Sequence, residues 1–318
     1  MDPEWLAKYK LLSDVLMEYG WFVAPYIIGS EFRRIEAVAE HARSHAPQTN
    51  DDRRLIEAMI HEALCDTVFH PNYRARTVWL GLKLDHFRDY SHIYESGIFA
   101  YYKRDYIGAA LCLLAAMEGI LLSFYGWKLA SSVTKPSIPQ LVRRVRTTEI
   151  PYQDPGLSVA HNMFRDVLAD FLDKWLYRKT SKSDFSLSLL NRHLILHGLE
   201  PGNFYRPEDV HRLILVFDLV VDFLAIRQRV FHDFLPDLGT DPIFDKRQKH
   251  YFDLAMGIAT TARCWIAERE MLKDHPNYFA PSEEPDHVKS FKNTLGQVIE
   301  LMKIAGKLPP DVPNDDKH

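Results

Sequence analysis

Two long apolar runs, Ile107 to Phe124 and Leu213 to Ile226, constrain this chain more than any other feature. The first approaches membrane-spanning length, but Glu118 interrupts it and Gly108 and Gly119 weaken it. The second carries Asp218 and Asp222 one turn apart, a costly pair to face lipid. Both runs are therefore read as buried helices of a bundle, with no membrane span expected. A carboxylate inside such a run needs a cation. For Glu118 the candidates are Arg192 or an arginine between Leu141 and Arg146, unless Glu118 faces solvent from a gap in the apolar stripe.

The remaining apolar residues recur at helical spacing, and no convincing sheet signal competes with them. Phe32, Ile35, Ala39 and Ala42 predict a helix over 31–44, and Leu55, Met59 and Ala63 one over 51–68. A Tyr-rich amphipathic segment joined to the first apolar run reads as one long helix from about Ser91 to Trp127. Phe164, Val167, Leu168, Phe171, Leu172, Trp175 and Leu176 form another clean stripe. Pro207 at a first-turn position, followed by Glu208 and Asp209, opens the helix that carries the second run and closes the bundle. Further helices are expected from roughly Phe244 to Glu270 and over Val288 to Met302, before a Pro- and Asp-rich tail from Leu308. The fold class is all-α: a helical region over 1–90, a central antiparallel bundle over 91–235, a second helical region over 236–307, and a disordered tail over 308–318.

A chain of 318 residues with 47% hydrophobic content can bury a sizeable core. Its net charge of −4 provides no global attraction to nucleic acid, so any such contact must come from a local basic patch. Three cysteines far apart, Cys65, Cys112 and Cys264, suit neither a disulfide framework nor a thiolate metal site. The N-terminus lacks a basic start followed by an apolar block, and a reducing cytoplasm is the expected location.

Chemistry is concentrated in one stretch, Asn191-Arg192-His193-Leu194-Ile195-Leu196-His197-Gly198. Read as a helix, Leu187, Leu190, Leu194 and His197 share a stripe, and Gly198 ends it. A histidine in the last turn meets the carbonyl end of the helix dipole, which favours its protonated form and suits proton transfer near neutral pH. Arg192 is rotated from His197 by roughly 140° at the helical period, so one helix does not aim both at one substrate. Two copies across a two-fold axis could bring the arginine of one chain to the histidine of the other, which points to a homodimer.

The stretch resembles the Arg-polar-x3-His signature of the HEPN superfamily, many of whose members are metal-independent endoribonucleases with a composite site at a dimer interface. The resemblance covers about Ser91 to Arg229 and implies that the central antiparallel bundle over 91–235 is HEPN-like. It implies that Arg192 holds the scissile phosphate and offsets its developing charge, that His197 moves protons, and that His193, Asn191 and Glu118 support them. It implies an RNA substrate, no cofactor, and a role as a toxin or phage-defence effector, for which an antitoxin or regulatory protein would be a further partner.

Two other readings stand beside it. His193 and His197, at i and i+4, could share zinc, but the glutamate of the metalloprotease pattern is missing and only Glu200 and His211 offer a third ligand. A HEPN-like module could also bind nucleotide, RNA or a partner protein without catalysis, using Arg192 structurally. For RNA contact the best local candidates are Arg143, Arg144 and Arg146, with Lys179 downstream. Their bearing on the site depends on whether they converge on Arg192.

Overall fold

The computed structural model describes residues 3–27, 29–127, 134–178, 190, 192, 206–230, 241–257, 261–276, 278 and 297. Among the described residues every regular element is helical. Eleven α-helices follow in order: α1 Pro3–Met17, α2 Gly29–Ser44, α3 Asn50–Phe69, α4 Pro71–Gly81, α5 Ser91–Tyr102, α6 Tyr106–Tyr125, α7 Ile138–Arg146, α8 Pro155–Phe171, α9 Pro207–Gln228, α10 Pro242–Ala255 and α11 Thr261–Leu272. The expected helix of the motif, from Leu187 to Gly198, that over 288–302, and the tail from Leu308 lie largely or wholly outside the described residues.

Local chemistry explains most boundaries. Thr49 and Asp52 close a capping box on α3, each side chain bonding the other's backbone amide. Pro71, Pro139, Pro155, Pro207 and Pro242 all sit in first turns, where the missing N–H costs nothing. Asp154 and Asp241 cap α8 and α10 through backbone amides.

Two long helices expected from the apolar pattern are each divided. The segment from Ser91 to Trp127 breaks after Tyr102, where Arg104 takes a left-handed conformation (φ 62°) and Asp105 caps the amide of Gly108 at 2.9 Å. Apolar residues on both sides masked that cap. The segment from Phe244 to Glu270 is likewise split between α10 and α11, with Gly257 at φ 67° just beyond α10.

The closing helix of the expected bundle, α9, lies at its centre. Every residue from Asp209 to Ile226 is buried, and α9 packs on α3, α4, α6 and α8. A helix buried all round cannot send its carboxylates to solvent, so each must be paired. Asp218 accepts from both terminal nitrogens of Arg74 (3.1 and 2.6 Å), from the Tyr26 hydroxyl (2.5 Å) and from the Thr77 hydroxyl (2.5 Å). Asp222 accepts from Arg76 at 2.5 Å. These arginines lie on α4 and tie the N-terminal helices into the core that runs from Leu6 to Met271.

A second buried charge cluster joins α5 to α10. Arg247 grips both oxygens of Glu95 (2.8 and 3.0 Å) and reaches Asp274 at 3.0 Å, while Tyr251 and His275 also bond to Glu95. Ser91 meets the other nitrogen of His275 at 2.5 Å, a Ser-His-carboxylate order. The three groups are buried and Ser91 donates to the Arg88 carbonyl, so the cluster is a structural network without access for a substrate.

The long apolar helix α6 has the length and hydropathy of a membrane span, yet 61% of its most apolar stretch is buried against protein. It is a core helix whose mid-point also admits an aromatic ring. A Cβ at Gly119 would overlap the ring of Tyr90, so this glycine permits close packing at that point.

Candidate functional site

Helix α6 presents Glu118 beside Gly119, with its side chain 17% exposed. Arg192 donates to it at 2.7 Å, so the carboxylate in the first apolar run is paired with the arginine of the motif. The arginines of α7 do not take that place. Leu190, two residues before Arg192, is fully buried and anchors this point of the chain.

A third residue joins the pair. Lys135, just before α7, donates to the other oxygen of Glu118 at 3.3 Å. Burial alone would raise the Glu118 carboxyl, but Arg192 and then Lys135 outweigh it and hold the group below its ordinary range. One carboxylate thus serves two cations, which leaves the cluster with a net positive charge. The Nε of Arg192 is buried without a hydrogen-bond partner, so the guanidinium keeps an unused donor. Tyr177 lies within the field of both charges, and burial pushes its phenol far above the ordinary range.

The basic face of α7 divides by its neighbours. Arg146 is engaged with Asp170 at 2.9 Å and Asp173 at 3.9 Å, and Lys174 binds the same Asp170 at 2.8 Å. Arg144 instead lies over the ring of Phe124, near the end of α6, at 5.9 Å from the centroid. Arg143 is exposed. Helix α7 packs on α6, so the segment that supplies Lys135 and the helix that supplies Arg144 both border the helix carrying Glu118.

Asn191, His193, His197 and Lys179 lie outside the described residues, as does Glu200. The convergence of Arg192 with His197, within one chain or across two, therefore rests on the sequence motif. His211, the other zinc candidate, is occupied by a hydrogen bond at each ring nitrogen, with Tyr101 at 2.8 Å and with His61 at 2.7 Å. Among the described residues no group of three His, Cys, Asp or Glu side chains is placed to hold a metal.

Lys135 escaped the sequence reading because it lies on no amphipathic stripe; its lone signal was a cation directly before the Pro136 turn. Arg227 and His86, which stand around Phe124 with Arg144, carried no motif at all. Comparison of the chain with known protein families, characterised proteins and solved structures finds no match.

Proposed function

We propose that this chain is a metal-independent endoribonuclease of HEPN type, with a composite active site at a homodimer interface and a role as a toxin or phage-defence effector. One observation carries the reading beyond the motif: Arg192, with a quarter of its side chain exposed, holds Glu118 through one terminal nitrogen, and Lys135 adds a second positive charge on the same carboxylate. Such a cluster is suited to a phosphodiester, because it can add charge-assisted bonds to a phosphoryl oxygen without first breaking its own support.

In the reaction this implies, the ribose 2′-oxygen forms a bond to the adjacent phosphorus and the bond to the 5′-oxygen breaks. The proton of the 2′-hydroxyl passes to a base, and the leaving 5′-oxygen receives one. The products are a 2′,3′-cyclic phosphate and a 5′-hydroxyl. His197 is assigned the proton transfers, with His193 and Asn191 orienting it. Arg192 offsets the charge on the phosphoryl oxygens, and Glu118 acts as a positioning residue that fixes the plane of the guanidinium.

A second reading draws on the same ion pair. An arginine bonded to a carboxylate of its own chain also suits a HEPN-like module that binds nucleotide, RNA or a protein without cutting.

The two readings separate in a cleavage assay on defined RNA in the presence of chelator, with parent, Arg192→Ala, His197→Ala and Glu118→Gln proteins checked for helicity and oligomeric state. The enzyme reading expects cleavage by the parent, loss in both motif variants, and a lower kcat at little-changed KM for Glu118→Gln. Equal inertness of parent and variants on RNA that the parent binds would sustain the binding module and overturn the nuclease.

A further inference from the structure

The cations around Phe124 have no counter-charge bonded to them among the described residues. Arg144 of α7 and Arg227 of α9 both lie over this ring, at 5.9 and 5.3 Å from its centroid. They are close enough that burial and then Arg144 lower the affinity of Arg227 for its proton. Neither forms an ion pair with any carboxylate among the described residues, and the Nε of Arg227 is buried with no hydrogen-bond partner. His86, in the left-handed region at φ 69°, packs edge-on against the same ring and bonds to Ser123 at 3.0 Å.

Acids nearby do not fill the gap. Asp85 and Asp89 act on His86, where they oppose Arg227 and Arg144, but Asp85 pairs with Arg88 at 3.6 Å. Elsewhere this chain neutralises its buried arginines fully: Arg74, Arg76 and Arg247 each meet a carboxylate. The exposed Arg144 and the half-buried Arg227 approach one ring without an acid between them, and their mutual repulsion is relieved where an anion joins them. An arginine presents planar pairs of donors that match phosphate oxygens, and Phe124 brings two of them to one ring.

We propose that Arg144 and Arg227, held on Phe124, form a phosphate-binding subsite that grips the RNA strand beside the Glu118–Arg192 cluster. Phe124 and Glu118 are six residues apart on α6, an axial rise of about 9 Å with a rotation of about 120°, and the α7 segment reaches both, through Arg144 at Phe124 and Lys135 at Glu118. The subsite rests on the ribonuclease reading for its ligand, but its test does not depend on cleavage.

That test is fluorescence-anisotropy titration of a labelled RNA oligonucleotide with 2′-O-methyl riboses, which cannot be cut by 2′-oxygen attack. The full chain is compared with Arg144→Ala, Arg227→Ala, Arg227→Gln and, as a control that removes one exposed charge elsewhere, Arg43→Ala. Loss of one phosphate contact should lower the slope of log K against log salt by about 0.7 in each subsite variant. Affinity should fall about tenfold at low salt in those variants, with Arg43→Ala like the parent.

If Arg227→Ala does not fold, Arg227→Gln and Arg144→Ala carry the measurement. Unchanged slopes in the folded subsite variants, or no RNA binding by the parent, would overturn the subsite. Unchanged slopes beside Arg192-dependent cleavage of unmodified RNA would remove the subsite and leave the nuclease standing. Reduced slopes without any cleavage would establish the subsite and remove the nuclease.

Discussion

The most quantitative consequence of the structure concerns Glu95, a fully buried carboxylate held by Arg247, Tyr251 and His275. Burial by itself would raise this carboxyl, but Arg247 and then His275 more than reverse that, and it lies at about 2 against an ordinary 4.5. The folded state thus binds its proton more weakly than the unfolded chain does. Stability from this group is fully present above about pH 4.5 and is lost as pH falls towards 2. The difference corresponds to about 3 kcal/mol near neutrality, of which about 1.5 kcal/mol remains near pH 3. Glu95→Gln keeps the shape and removes the charge, while Asp274 continues to support Arg247 at 3.0 Å. Urea unfolding followed by far-ultraviolet circular dichroism should show the variant about 3 kcal/mol less stable near pH 7. The gap should narrow by about half near pH 3. A gap that stays constant across that range would refute the reasoning, because it would mean that Glu95 contributes through packing and not through its charge.

Asp218→Asn should destabilise the protein by about 3–5 kcal/mol in the same assay, because Arg74 is left as a buried cation with its one carboxylate removed. Tyr26→Phe, which removes one of the donors to Asp218, should cost only about 1–2 kcal/mol. His161 is buried and stacked on Phe223, with neither ring nitrogen in a hydrogen bond of acceptable geometry. Burial lowers it to about 4, opposed only in part by neighbouring Asn162. His161→Phe should therefore melt higher than the parent, and increasingly so as pH falls from about 6.5 towards 4, since the parent alone must charge a buried imidazole on unfolding. Gly119→Ala should lower stability by about 1–3 kcal/mol through overlap with the Tyr90 ring, and Tyr90→Ala in the same protein should recover part of that loss on thermal denaturation.

Several features of the site were legible in the residues themselves. A carboxylate within an apolar run has few ways to persist, and Arg192 was a nearby cation in another apolar run; their bond at 2.7 Å follows from that shared requirement. Helical periodicity likewise located α2, α3, α8 and α9, because a buried stripe repeats with the turn of the helix. It could not locate the break between α5 and α6, where Asp105 caps one helix amid apolar residues that would have suited either outcome. Nor could it divide the basic face of α7. Arg144 and Arg146 are equivalent in sequence, and one is neutralised by Asp170 while the other is left on Phe124 only because of how α6 and α8 lie against that helix.

Local pattern alone determined that the chain is helical, that its two apolar runs are buried, and that polar side chains crowd the sequence around Arg192. The partners of Asp218 and Asp222, the grip of Arg247 on Glu95, and the approach of Arg144 and Arg227 to one ring without an acid among the described residues were decided only by tertiary packing. Arg74 is 144 residues from Asp218, and Arg247 is 152 from Glu95. A buried charge demands a counter-charge wherever the fold can bring one, and only the packed helices specify which residue that is, or that none arrives.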